Sequence, residues 1–175
     1  MANYNRISSY VMAATAANAS QVFATRVIPA LVDIWLAASA GLSDDVVETT
    51  SANFSYLFDI GQQRLIGAWG ISQGRFGGAR DASRMKQSPQ SAGPTYHRGH
   101  AIPHRLGGPL DINLVPQLGQ INIGRFRELE KQAVATPGSL YFTFWKYRGK
   151  SQTPIGVDQG LLIPGQMPKI TSFAN

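Results

Sequence analysis

The residue types that could do chemistry are concentrated in one short run. All three histidines of the chain fall within eight residues, and two arginines bring the run to nine residues: His97, Arg98, His100, His104 and Arg105. An imidazole can act as a general base near neutral pH, and a guanidinium supplies fixed positive charge for a phosphate. Two asparagines follow, Asn113 and Asn122, and their amide oxygens suit a hard cation. This combination is typical of phosphodiester cleavage.

The elements that must position this run are predicted to be a helix and strands. Residues 120–135 predict a helix, which Pro137-Gly138 stops. One apolar face of that helix would hold Ile121, Phe126, Leu129 and Ala133. Residues 140–147 are strongly β-prone, and their alternating aromatics are interpreted as core. Residues 161–163 predict a second short strand, and the whole pattern favours the α+β class.

The N-terminal part of the chain is predicted to be helical. Residues 13–40 are rich in alanine and branched apolar residues, which predicts one helix kinked at Pro29 or two short helices. Ser43-Asp44-Asp45 resembles a helix start, and residues 54–69 predict another helix. We expect no membrane span, because no uninterrupted apolar run approaches roughly 20 residues. The faint signal-peptide pattern at the start is interpreted as an ordinary helix.

Composition bounds the possibilities further. The 175 residues allow one good core, and the absence of cysteine excludes disulfides, zinc-thiolate clusters and a cysteine nucleophile. The net charge of +6 is uneven. Residues 1–60 hold two basic groups against five acids, whereas residues 61–175 hold fourteen against five. The basic half indicates either a polyanion partner or a solvated basic surface, and charge alone favours neither. Residues 70–94, rich in glycine, proline and serine, are interpreted as a loop or linker.

An ordered set of motifs resembles a known family. His97-Arg98-Gly99-His100, Gly107-Gly108, residues 113–117 (Asn-Leu-Val-Pro-Gln) and Ile121-Asn122 occur in that order. The set resembles the DNA/RNA non-specific endonucleases of the ββα-metal (His-Me finger) class, most of all those that end bacterial polymorphic toxins. The match covers residues 96–147. His97 stands where the family has aspartate, which bears on efficiency or metal preference more than on the reaction class.

The resemblance implies roles for four residues. His100 would be the general base, and Arg98 would face the scissile phosphate. Asn122 would bind the cofactor, Mg²⁺ or Mn²⁺, although a helix N-cap is an equally good use of an asparagine there. Asn113 belongs to the catalytic set as a scaffold residue, whose amide ties the loop that bears His100.

Further residues are expected around that set. Glu130, His104 and His97 would support the site from outside the metal's direct ligands, although an exposed surface residue and a plain loop histidine are nearly equal alternatives for the first two. Candidate phosphate contacts are Arg105, Arg125, Arg127 and Lys131.

The resemblance implies a ββα-metal nuclease core over residues 91–175, preceded by a helical region and basic linker over residues 1–90. The implied function is metal-dependent hydrolysis of DNA, with RNA as a second possible substrate. A bacterial toxin or effector, secreted or delivered into a target cell, would need an acidic immunity protein. The alternative is a non-catalytic nucleic-acid-binding protein with a degenerate site. A protein-interaction module built on the N-terminal helices is a third interpretation, without a motif behind it.

Overall fold

A computed structural model describes residues 2–79 and 93–175. The helices are α1 (Asn5–Ala13), α2 (Ala19–Val22), α3 (Ile28–Ala38), α4 (Gly119–Ile123) and α5 (Phe126–Ala135). The strands are β1 (Val46–Ser51), β2 (Phe54–Asp59), β3 (Arg64–Ile71), β4 (Tyr96–His100), β5 (Leu114–Leu118), β6 (Leu140–Lys146), β7 (Gly156–Leu162) and β8 (Lys169–Ala174). Six of them form one antiparallel sheet in the order β1-β2-β3-β6-β7-β8, and β4 and β5 form a separate hairpin. The predicted α+β class is confirmed.

The N-terminal helical region changes its geometry just before Pro29, close to the predicted kink. A π-helical turn at Phe23–Val27 joins α2 to α3, and Pro29 occupies the first turn of α3, where a missing N–H is tolerated. The helix from Ala19 to Ala38 could cross a membrane by length and composition alone, although Arg26 and Asp33 interrupt its apolar run. Core helices and signal sequences meet the same criterion.

The helices predicted at residues 54–69 and after Ser43 are wrong. Residues 46–71 form the three-stranded meander β1-β2-β3. A short apolar run buried on both sides has no periodicity that separates a strand from a helix, and nearly every residue of β3 is buried. Ser43 caps no helix: its hydroxyl donates to the Asp59 carboxylate and so joins the segment before β1 to the end of β2.

Strand β6 divides the core into two faces. Phe142 and Phe144 point to the side of the N-terminal helices, where their ring centroids lie 5.4 and 5.9 Å from that of Trp35. We call this side the helical face. Thr143 and Trp145 point to the opposite side, which carries the hairpin and α5, and which we call the hairpin face. Each face therefore packs against its own layer.

The C-terminal predictions are confirmed in outline. The strand predicted over residues 140–147 is β6, and the short second strand is the longer β7. The single helix predicted over residues 120–135 is two helices, because Gly124 takes a non-helical backbone conformation (φ −91°, ψ −126°). The predicted domain boundary at residue 90, and most of the predicted linker, lie outside the described residues.

Candidate active site

A β-hairpin positions His100. It is the last residue of β4 and pairs with Leu114 of β5, while Arg98 pairs with Pro116. Because side chains alternate along a strand, Arg98 and His100 share one side of the hairpin, and His97 points to the other. His100 is only 7% exposed. The hairpin thus holds the candidate base at a nearly buried position.

The loop after His100 is tied down by Asn113, which is fully buried. Its Oδ1 accepts a hydrogen bond from the Ile102 N–H at 2.6 Å, and its Nδ2 donates to the carbonyls of Ile102 at 2.8 Å and Pro109 at 2.9 Å. The Asn113 backbone carbonyl also accepts from the Ala101 N–H at 2.8 Å. The side-chain amide of Asn113 therefore hydrogen-bonds three backbone groups of a loop that has no β-sheet hydrogen bonds of its own.

The glycine pair in that loop is required by close packing. Gly107 has φ +98°, in the left-handed region that favours glycine. A Cβ on Gly108 would lie 1.9 Å from the carbonyl oxygen of Ile102. The Gly-Gly motif therefore closes the loop tightly enough for Asn113 to reach both of its ends.

Polar contacts anchor this assembly to the sheet. The Thr143 hydroxyl of β6 donates to the carbonyl of Ala101, directly after His100, at 3.3 Å. The Gln159 side chain of β7 donates to the carbonyl of Phe126, at the start of α5, and to the Tyr141 hydroxyl, both at 2.8 Å. The loop and α5 are thus fixed to neighbouring strands, which sets their separation.

Between the loop and α5 lies a cavity of about 370 Å³. It is lined by His100, Pro103, His104, Arg105, Asn122, Gly124, Arg127, Glu128, Glu130 and Lys131. Three cationic and two acidic side chains therefore surround two imidazoles and one amide. The two imidazole ring centroids, of His100 and His104, are 6.3 Å apart.

The two acids of the cavity differ in placement. Glu130 is half-buried, whereas Glu128 is exposed and lies 3.8 Å from the Lys131 ammonium group. Burial raises the pKa of Tyr141 well above its ordinary value, the negative charge of Glu130 raises it further, and the hydrogen bond from Gln159 opposes both. Glu130 therefore lies close enough to β6 to act on a buried phenol, while Glu128 stays at the rim.

Seven of the eleven residues predicted for the site line this cavity: His100, His104, Arg105, Asn122, Arg127, Glu130 and Lys131. Among the described lining residues, His97, Arg98, Asn113 and Arg125 do not occur. Arg98 lies on the same side of the hairpin as His100, and Arg125 is exposed between α4 and α5. His97 is exposed and covers Gly119, where a Cβ would come within 2.8 Å of its ring.

Sequence reasoning missed two neighbours of the site. Glu128 lies three residues before Lys131 on α5, and that helical spacing was the available signal. Phe76 falls in the stretch interpreted as a linker, yet its N–H donates to the Arg105 carbonyl at 2.7 Å and its ring contacts His104. The signal there was a single aromatic residue within a glycine-rich, basic segment.

The donor set of the cavity suits a hard, largely hydrated cation. Across residues 2–79 and 93–175 there is no group of three or more histidine, cysteine or acidic side chains that could hold a metal ion. The side-chain oxygen donors in the cavity are the Asn122 amide, the half-buried Glu130 carboxylate and the exposed Glu128 carboxylate. Mg²⁺ prefers such oxygens and keeps several waters, so few protein ligands suffice. The residues present therefore fit that class of ion.

Comparison with known protein families gives a match to part of the chain. A family described as "DNA/RNA non-specific endonuclease" matches residues 75–158, which contain the hairpin, α4, α5 and every residue that lines the cavity. A solved structure titled "extracellular endonuclease" aligns with 76% of this chain and 72% of its own, at 13% identity and a TM-score of 0.40. Curated protein sequences gave no match. Residues 75–158 are therefore similar to the DNA/RNA non-specific endonuclease family, and this similarity suggests a hydrolase that acts on nucleic acids.

Proposed function

We propose that the cavity is the active site of a metal-dependent endonuclease that hydrolyses phosphodiester bonds of DNA, and also of RNA. The observation that carries the proposal is the meeting of His100, Asn122 and Glu130 in one cavity with three cationic side chains. A base, hard oxygen donors and phosphate-binding charge are the three requirements of this reaction.

His100 is the proposed general base. Its imidazole takes a proton from the water that attacks phosphorus, and it must be held in place while it does so. The backbone is fixed before His100 by strand β4 and after it by the loop that Asn113 holds, so the imidazole ring is carried by a rigid segment. Arg98, on the same side of the hairpin, and Arg105 and Arg127, in the cavity, bind phosphate oxygens.

Asn122 is the proposed ligand for Mg²⁺ or Mn²⁺, and Glu130 accepts hydrogen bonds from water around the ion. When bound, such an ion stabilises negative charge on the phosphate and on the leaving oxygen. His104 and His97 flank the site, His104 inside the cavity and His97 on the reverse of the hairpin. Arg125, at the exposed junction of α4 and α5, extends the cationic surface.

Cleavage assays test this function directly. Purified protein is incubated with plasmid DNA, single-stranded DNA and RNA in Mg²⁺, in Mn²⁺ or in EDTA, beside the Asn122→Ala variant and an Arg6→Ala control. Arg6 makes an exposed ion pair with Asp33 in the helical layer, away from the cavity, so its loss should leave cleavage unchanged. We expect cleavage with either ion, none in EDTA, and a large loss for Asn122→Ala. Salt-dependent binding without cleavage in either ion would instead support the degenerate, non-catalytic alternative.

The biological role we propose is that of a bacterial toxin or effector, delivered into a target cell and restrained in its producer by a small acidic immunity protein. The resemblance to toxin domains and the basic character of residues 61–175 support this. An acidic partner that covers the surface between Arg98 on the hairpin and Arg105 in the cavity should associate faster at low salt, because its negative charge steers the encounter. Harmless high-level expression of the unmodified chain alone would count against the role.

A further inference from the structure

Phe76 has an exposure that no other aromatic residue shares among residues 2–79 and 93–175. Its side chain is 49% exposed, while the three tryptophans are 3% exposed or less. Every other aromatic side chain in those ranges is buried or half-buried. A large apolar ring held open to solvent loses the stabilisation that burial would give it, which makes a binding role worth testing.

The ring is exposed but fixed in position. The Phe76 N–H donates to the Arg105 carbonyl at 2.7 Å, and the ring meets His104 edge to face at a centroid distance of 5.7 Å. Glycines stand on both sides of it. A Cβ on Gly78 would lie 2.4 Å from the ring, and one on Gly107 would lie 3.5 Å from it. The Gly78 carbonyl lies 3.2 Å from His104 Nε2, which donates to it in the tautomer protonated there.

This ring lies at the edge of the cationic cavity. Its contact His104 lines the cavity, and the His104 ring in turn lies 6.3 Å from that of His100. The path from Phe76 to the proposed general base therefore crosses two ring contacts, Phe76 to His104 and His104 to His100. Along one nucleic-acid strand, at about 3.4 Å per nucleotide, this distance corresponds to a few nucleotides. Two exposed arginines flank the ring. Arg75 precedes Phe76 in the sequence, and the Arg105 carbonyl accepts the hydrogen bond from the Phe76 N–H.

We propose that Phe76 is a base-stacking residue that binds an unpaired nucleobase a few nucleotides from the phosphate at His100. This rests on the proposed nuclease function and names the form of substrate that the site prefers. An aromatic face stacks with any base, whereas bases inside a duplex already stack on one another and must be unstacked first. The site therefore binds single-stranded DNA or RNA more tightly than duplex, with little dependence on sequence.

Fluorescence offers a measurement of this contact that needs no cleavage. Because Trp35, Trp69 and Trp145 are buried, Phe76→Trp introduces an exposed indole that reports stacking directly. The matched control is Met12→Trp: Met12 is 51% exposed and lies on α1, in the layer beyond the helical face. In EDTA, a twelve-residue oligothymidylate should quench Phe76→Trp emission saturably and leave Met12→Trp emission unchanged.

Affinity measurements complete the test. Phe76→Leu keeps an apolar side chain against Gly107 but has no aromatic face. We expect it to weaken binding of the oligothymidylate, and of the matching oligouridylate, roughly 5- to 100-fold, the loss typical of one stacked base. Binding of a blunt hairpin duplex should change less than about twofold, so the preference for single strands should fall in proportion.

The outcomes separate two kinds of failure. Unquenched Phe76→Trp emission, or equal affinity of Phe76→Leu and the parent for single strands, overturns the stacking proposal while the parent still cleaves nucleic acid. If the parent neither binds nor cleaves any of these nucleic acids, the proposed function fails and the stacking role fails with it. A Phe76→Leu variant that loses duplex binding equally would show a general effect on the loop, which also overturns the proposal.

Discussion

The two faces of the six-stranded sheet are held together by different physics. On the helical face, the buried Trp35 packs against Trp69, Phe142 and Phe144 with ring centroids 5.4 to 5.9 Å apart. On the hairpin face, the same sheet offers Thr143 and Gln159, which hydrogen-bond the backbone of the His100 loop and of α5. Apolar packing secures the first layer, whereas the second layer combines apolar packing, such as that of Phe126 against Trp145, with hydrogen bonds to the loop and to α5.

This difference indicates what each layer does. Apolar packing is non-directional and fills space, so it can fix a layer without fixing the orientation of a particular polar group. Hydrogen bonds are directional, and a loop with no ladder of its own needs them to hold one backbone geometry. The hairpin face, where Asn113 and Gln159 supply those bonds, is also the face that carries the cavity. The helical face therefore supplies stability, and the hairpin face supplies position.

The sharpest way to separate the faces is His100→Ala. Loss of a positioned base should lower kcat by ~10²–10⁴-fold. The free energy of unfolding should change by less than about 1 kcal/mol, because this side chain is not among the largest packed in the core. Cleavage kinetics and urea unfolding of the same preparation check both. Cleavage within a few-fold of the parent would identify another base, with His104 as the first suspect, and loss of the folded state would assign His100 a structural role.

Trp35→Ala should show the opposite pattern. Truncation of a fully buried tryptophan costs about 3–5 kcal/mol of unfolding free energy, because it leaves a cavity among three aromatic rings. Cleavage per folded molecule should stay near that of the parent at low temperature, since the helical face holds no site residue. Calorimetry and active-site-normalised kinetics measure the two effects. Trp35→Phe, which retains part of the packing, serves as the control if the alanine variant does not fold.

Asn113→Ala should lower both the free energy of unfolding and the rate of cleavage. It removes three hydrogen bonds to buried backbone groups and should cost about 2–4 kcal/mol of stability. Cleavage should also fall, because the loop that follows His100 loses its fixed geometry. Asn113→Asp tests the directional argument, since it keeps the acceptor for Ile102 but loses both donated bonds. Full activity in a destabilised Asn113→Ala protein would show that the loop does not position His100.

The smallest expected effect compares, at alkaline pH, Tyr4 on the helical face, whose ring centroid lies 5.6 Å from that of Phe142, with Tyr141 on the hairpin face. Burial first, and then a neighbouring carboxylate, raise the pKa of Tyr4 beside Asp158 and of Tyr141 beside Glu130. A phenol with a raised folded-state pKa binds its proton more tightly when folded, so its stabilisation is present below pH 10 and is lost as pH rises above that value. Tyr4→Phe or Tyr141→Phe should each reduce the loss of unfolding free energy above pH 10 by up to about 1.4 kcal/mol per pH unit. Urea unfolding between pH 8 and 11 measures it, and an unchanged slope for either variant contradicts the assignment.

Much of the site was predictable because chemistry-bearing residue types are sparse. With three histidines in eight residues, few alternatives for a base exist, and the order of the Gly-Gly and Asn-Leu-Val-Pro-Gln motifs restricts the fold further. The roles predicted for His100, Asn122 and Glu130 stay predictions until the assays are done. Phe76 could not be predicted from its glycine-rich surroundings, because its contact with His104 brings together residues 28 positions apart.

The sequence by itself determined the α+β class, the strand β6 and its burial, and the identity of the candidate residues, because these depend on local propensity and residue type. Only the tertiary structure decided that residues 54–59 and 64–71 are strands, since pairing with neighbouring strands along both edges of β3 overrides an ambiguous apolar pattern. It also decided which predicted residues share the cavity. Strand alternation turns His97 away from His100, and α5 brings Glu130 and Arg127 to it across 27 or more residues of chain. Such pairings are set by register and layer packing, which no local pattern encodes.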